Sequence, residues 1–142
     1  MHRITVAEVE EISFLIAQQR FSFDEPIPAF ATRFPNVLES CLETPFQTFG
    51  RKELYPTFVA KLSMLFYLMN KNHPFQNGNK RVAMTTLFYA LYEAGKWLKV
   101  DTQTLYNFAV WVAESPADAK DATVQYIEKF ISKHMIALEK DL

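Results

Sequence analysis

At 142 residues and 49% apolar content, the chain is long enough to bury the core of one ordinary domain. Its 15 basic and 16 acidic side chains leave a formal charge of -1, which argues against a general nucleic-acid coat or a binder of anionic membranes, since either needs a basic excess. Three glycines beside 13 phenylalanines exclude a disordered or fibrous chain, and the lone Cys41 excludes an internal disulfide framework.

Thr5 followed by Glu8 reads as a capping box at a helix start. Val6, Val9, Ile12 and Ile16 recur at helical spacing and carry this first helix to about Arg20. The stretch from Phe21 to Pro35 holds three prolines and reads as a long loop, of the kind that is often functional or packs back over a core. A short helix over 36–43 turns Val37, Leu38, Cys41 and Leu42 inward. Cys41 reads there as a small buried hydrophobe, because no base stands near it to activate a thiol. Alternation around Phe46, Thr48 and Gly50 predicts a small hairpin or flap within Thr44 to Tyr55.

Pro56 suits the first turn of the next helix, which is apolar nearly all round from Phe58 to Asn72 and therefore central to the core. A further helix opens near Gly78 and ends at Gly95 as a left-handed cap. Residues 97–100 read as a short extended piece, and Asp101 or Thr102 caps a helix with Leu105, Phe108, Ala109 and Val112 on one face. Ser115 as cap and Pro116 at the first position start the last helix, with Val124, Ile127, Ile131 and Leu138 as its stripe. Trp97 and Trp111 read as core or interface residues. His2 and His134 lack metal-ligand spacing, so no structural zinc is expected. The expected fold is all-α: one domain over 1–142, a bundle of about six helices with a small β-hairpin flap. No apolar run approaches the roughly 20 residues of a spanning helix, and the first residues carry no apolar leader. A soluble, cytoplasmic protein is expected.

Between the two most apolar helices lies His73-Pro-Phe-Gln-Asn-Gly-Asn-Lys-Arg81. Polar groups this dense beside a core are costly unless partnered. The turn reads as an anion site: Gly78, Asn79 and Lys80 fall where a helix begins, so unpaired amides and the helix dipole favour a phosphate there. Gly78 lets backbone approach a ligand, Lys80 adds a point charge and Arg81 a planar fork. A basic pair at a helix start is unfavourable against the dipole, and a bound anion would compensate it. A neutral His73 can take a proton from a hydroxyl near physiological pH. Read singly, His73 is more often structural than catalytic, and a Lys-Arg pair is usually just solvated.

At these residues the chain resembles the Fic/Doc family, and within it the Doc (death-on-curing) toxin branch. The family motif, His-x-Phe-x-acid-Gly-Asn, then Gly or Lys, then Arg, stands here as His73, Phe75, Asn77, Gly78, Asn79, Lys80 and Arg81. Gly50 and Tyr55-Pro56, and the helix ending at Asn72, are similar to the Doc segment that leads to the motif. The resemblance implies a toxin enzyme using ATP or another nucleotide with Mg²⁺. It makes His73 the general base on a target hydroxyl and Phe75 the structural anchor. It assigns nucleotide binding to Asn77, Gly78, Asn79, Lys80 and Arg81, and the metal to Asn77. Lys80 stands where AMP-transferring members have Gly, and Val82, Ala83 and Met84 leave no second arginine. Both features point to transfer of the terminal phosphate of ATP to a Ser or Thr hydroxyl, in the family a residue of a translation elongation factor. The alternatives are AMP or nucleotidyl transfer (AMPylation), or an inactive binding module, because Asn77 replaces the metal-binding acid. The flap, with Thr48, Phe49, Gly50 and Arg51, resembles the family's docking hairpin for a protein target. No Glu has Ser or Thr four positions before it, so the family's self-inhibiting helix is not expected, and a small antitoxin is the implied partner. Neither nucleic acid nor membrane is an expected partner.

Overall fold

The computed structural model describes residues 1–20 and 25–138; the predicted loop from Phe21 onward therefore lies partly outside the described residues. Six helices carry the chain: α1 (residues 6–20), α2 (Pro35–Glu43), α3 (Phe58–Lys71), α4 (Asn79–Glu93), α5 (Thr102–Glu114) and α6 (Lys120–His134). A hairpin of β1 (Thr48–Phe49) and β2 (Lys52–Glu53) lies between α2 and α3. A second antiparallel pair joins β3 (Lys96–Leu98) to β4 (Met135–Ala137), with Trp97 opposite Ile136.

The helix starts follow local chemistry. Thr5 Oγ1 accepts from Glu8 N at 3.1 Å, and the Glu8 carboxylate accepts from Thr5 N at 3.0 Å, so the capping box forms. Thr57 caps α3 through Ala60 N, and Asp101 caps α5 through Thr104 N at 2.8 Å. Such caps stabilise by about 1 kcal/mol each. Pro56 precedes the cap of α3 rather than occupying its first turn.

α1 departs from a uniform α-helix. Val9–Phe14 is π-helical, and the extra residue rotates everything beyond it. Val9, Ser13, Phe14 and Ala17 face the core, while Ile16, part of the apolar spacing of this helix, is 42% exposed. The bulge is held from α4, where Thr85 donates to Ser13 O at 2.7 Å and Thr86 to Ser13 Oγ at 3.1 Å. Ile12 and Ile16 instead line an open groove of about 710 Å³ together with Phe88, Tyr89, Tyr92 and Trp97.

α3 is the central helix, with every residue from Lys61 to Asn70 buried. It packs against α2, α4, α5 and α6. Phe66 on α3, Phe108 on α5 and Phe130 on α6 stack in near-parallel planes, the last two with centroids 4.0 Å apart. Cys41 is fully buried, and burial pushes its thiol up to about 12, which keeps it inert as a nucleophile.

The C-terminal part differs from expectation at two points. Ser115 does not cap α6: its hydroxyl donates back to Val112 O at 2.6 Å at the end of α5, a 3-10 turn Ala117–Ala119 intervenes, and α6 starts at Lys120. α6 also stops at His134, so Leu138 is no part of its stripe; the chain turns extended to pair with β3, and Leu138 N donates to Gly95 O.

Candidate active site

The motif turn joins the end of α3 to the start of α4. α3 closes on Asn72, and His73 takes the next position at φ 51°, a left-handed slot that glycine usually fills. A histidine there carries about 1–2 kcal/mol of backbone strain. Its ring is exposed. The turn is then pinned at several points. Pro74 O accepts from Phe34 N at 2.9 Å. The Phe75 ring, 3% exposed, packs against Phe14 at 5.3 Å and Phe30 at 6.0 Å, so α1, the 3-10 turn Phe30–Thr32 and the motif share one aromatic cluster.

Asn79 closes the turn from the other side. Its Oδ1 accepts from Phe75 N at 2.8 Å and its Nδ2 donates to Phe75 O at 2.9 Å. Nδ2 also stands 3.5 Å from His73 Nδ1, the outer limit of a hydrogen bond, too long to fix the ring's tautomer. The side chain of Asn79 therefore shapes the turn.

Gly78 sits at φ 78° as the N-cap of α4, and among the described residues no side chain caps that end. Among the described residues the first amides of α4 therefore have no side-chain acceptor at the positive end of the helix dipole. Lys80, half-buried, and Arg81, 3% exposed, stand in this first turn. The residues before α2 lie over the same place. Ile27 presses on Gly78 so closely that a Cβ there would fall 2.5 Å from Ile27 Cγ1. Arg81 Nη2 donates to Glu25 O at 2.6 Å, and Gln18 Nε2 donates to Ile27 O at 3.2 Å. Among the described residues the Arg81 guanidinium thus has a backbone carbonyl as its partner.

Asn77 Oδ1 accepts from Gly78 N at 2.8 Å, and its Nδ2 lies 3.5 Å from Pro26 O. Among the described residues no three His, Cys, Asp or Glu side chains gather to hold a metal ion. A neutral amide oxygen already accepting from the Gly78 amide fits Mg²⁺ poorly, since this ion favours carboxylates alongside phosphates.

The predicted motif residues therefore come together on one turn. The predicted flap residues Thr48, Phe49, Gly50 and Arg51 are all exposed on the hairpin, Phe49 at 80%. Gly50 and Arg51, at φ 57° and 69°, form its two-residue turn. Sequence reading missed the cover by Glu25–Ile27, for which no local signal exists. It also passed over Lys61, a lone charge inside the apolar run of α3 that was visible as such.

A family model described as Fic/DOC family matches residues 1–91, a span that includes α1, the hairpin, α3 and the motif turn. No curated protein and no solved structure matches the chain.

Proposed function

The chain belongs to the Fic/DOC family, whose members are typically transferases, and from that premise we propose that it is a Doc-like phosphotransferase acting on a protein hydroxyl. In this reading ATP is the donor, and its phosphates lie on the uncapped start of α4 near Lys80 and Arg81. His73 takes the proton of a Ser or Thr hydroxyl. The freed oxygen forms a bond to the terminal phosphorus, the bond from that phosphorus to the bridging oxygen breaks, and ADP leaves. Positioning and charge stabilisation supply most of the catalysis in such a transfer. The reading adopts the target class that the resemblance implies, a translation factor docked at the hairpin. It also adopts a small antitoxin as restraint, whose apolar helix face would suit the groove beside Ile12, Ile16 and Trp97. A single folded domain over 1–142 and a cytoplasmic setting belong to the same proposal. No helix among the described residues is long and apolar enough to cross a membrane.

One observation carries the reading: an exposed imidazole is held in a strained left-handed conformation on the turn that leads into a helix start with two basic side chains and, among the described residues, no side-chain cap. Strain of this kind persists where surrounding structure enforces it, and it clusters at functional sites. The chain's residues fit a phosphate group better than they fit a metal ion, so no step is assigned to Mg²⁺.

The test is label transfer in bacterial lysate, using ATP labelled at either the α or the γ phosphate, with His73→Ala as control. Label from γ alone, lost in His73→Ala, is the expected result. Label from α would replace phosphotransfer by nucleotidyl transfer. His73-dependent label from neither would favour a binding module, a reading supported by Asn77 in place of an acid and by the carbonyl partner of Arg81.

A further inference from the structure

The hairpin has no means of holding its own orientation. Its ladder consists of Thr48 opposite Glu53 and Phe49 opposite Lys52, and all four residues are exposed. Beyond the ladder, Leu54 N donates to Gln47 O at 3.0 Å. An isolated two-stranded hairpin is marginal at best in water, so something outside it must fix where it points.

Lys61 is the one charged residue within the buried stretch of α3, and it is only 4% exposed. An ammonium buried this deeply is costly unless it is paired and fully hydrogen-bonded. Its partners all belong to the foot of the hairpin. Lys61 Nζ stands 3.2 Å from Glu53 Oε1 in β2 and donates to Tyr55 O just after it. It also lies 5.8 Å from the centroid of Phe46, just before β1. One buried cation thus gathers the segments entering and leaving the hairpin and fastens them to the first turns of α3.

α3, buried from Lys61 to Asn70, carries Lys61 near its start and leads directly into His73. At 1.5 Å per residue, about 15 Å of axis separates Lys61 from Lys71. The geometry points to Lys61 as a positioning residue: by clamping the hairpin to α3 it sets the offset between hairpin and His73, and so where a docked segment presents its hydroxyl. This rests on the proposed transferase reading in which the hairpin receives the target.

The experiment compares wild type with Lys61→Met, which keeps the buried stem and removes the charge, and with Glu53→Ala, which removes only the half-exposed partner and serves if Lys61→Met fails to fold. Limited trypsin digestion reports the hairpin directly, because Arg51 and Lys52 lie in or beside its turn. Cleavage there should accelerate about tenfold in Lys61→Met and by less in Glu53→Ala, while far-UV circular dichroism is retained. In the lysate assay the protein concentration giving half-maximal labelling should rise about tenfold, with the maximal rate and the half-saturating ATP within twofold of wild type. Unchanged cleavage overturns the clamp. Faster cleavage with unchanged half-saturation overturns the role in docking. Absence of labelling by the wild type overturns the transferase reading and the docking role with it, and digestion then decides the clamp alone.

Discussion

Replacing His73 by glycine separates chemistry from folding at a single position. The histidine occupies φ 51° at the end of α3. A left-handed conformation costs an L-residue about 1–2 kcal/mol, which glycine would recover in the folded state. Against this, glycine adds about 0.5–1 kcal/mol of backbone entropy to the unfolded chain. The side chain is exposed, and among the described residues its one close polar approach, to Asn79 Nδ2, is a marginal 3.5 Å. Little burial or hydrogen bonding is therefore lost, and His73→Gly should be neutral or stabilising by up to about 1 kcal/mol. For a chain of this size that corresponds to a melting temperature unchanged or raised by about 2–4 °C, read by circular dichroism or calorimetry. The same protein should transfer no label from ATP. A melting temperature lowered by more than about 4 °C would show that the imidazole holds the turn together, and retained transfer would remove it from the chemistry. Either result refutes the reasoning.

Gly78→Ala places a Cβ 2.5 Å from Ile27 Cγ1 at a residue whose φ is 78°; strain and overpacking together should cost about 2–4 kcal/mol in urea unfolding, and a loss below about 1 kcal/mol would mean that the segment at Ile27 does not bear on the motif turn. At Glu8, burial raises the carboxyl, but hydrogen bonds from Tyr89, His2 and Thr5 outweigh it and bring it down from 4.5 to about 2. Since the folded value is the lower one, the stability this provides is complete above pH 4.5 and drains away as pH falls toward 2. Melting curves of wild type and Glu8→Gln should therefore differ at neutral pH and converge across that interval, and a gap independent of pH would contradict the assignment. Asn77→Asp supplies the charge that the amide lacks; if weak metal affinity limits the wild type, its labelling rate at low Mg²⁺ should rise severalfold, and an unchanged rate would locate the limit elsewhere.

Much of the fold was legible because the signals are local. The Thr5–Glu8 box, the Asp101 cap, Gly95 after α4 and the all-round apolar character of α3 each act within one or two helical turns, and each forms as read. The presence of a small hairpin was legible for the same reason. Misreadings arose where a distant segment decides. Ile16 follows the apolar helical spacing, but Thr85 and Thr86 of α4 hold a π-bulge that turns it outward. Leu138 was assigned to α6, but an extended partner was waiting at β3.

The candidate site divides along the same line. The residue types of the motif, their order and the helix start that gathers their amides belong to nine consecutive positions, so sequence alone determined them. What surrounds the motif depends on chain folded back from far away: Glu25 O on Arg81, Ile27 over Gly78, and the hairpin foot on Lys61. Backbone carbonyls carry no residue-specific signature, and a buried lysine takes its meaning from whichever partners tertiary packing brings to it. Tertiary structure alone therefore decided which groups in this protein are already engaged and which remain open to a ligand.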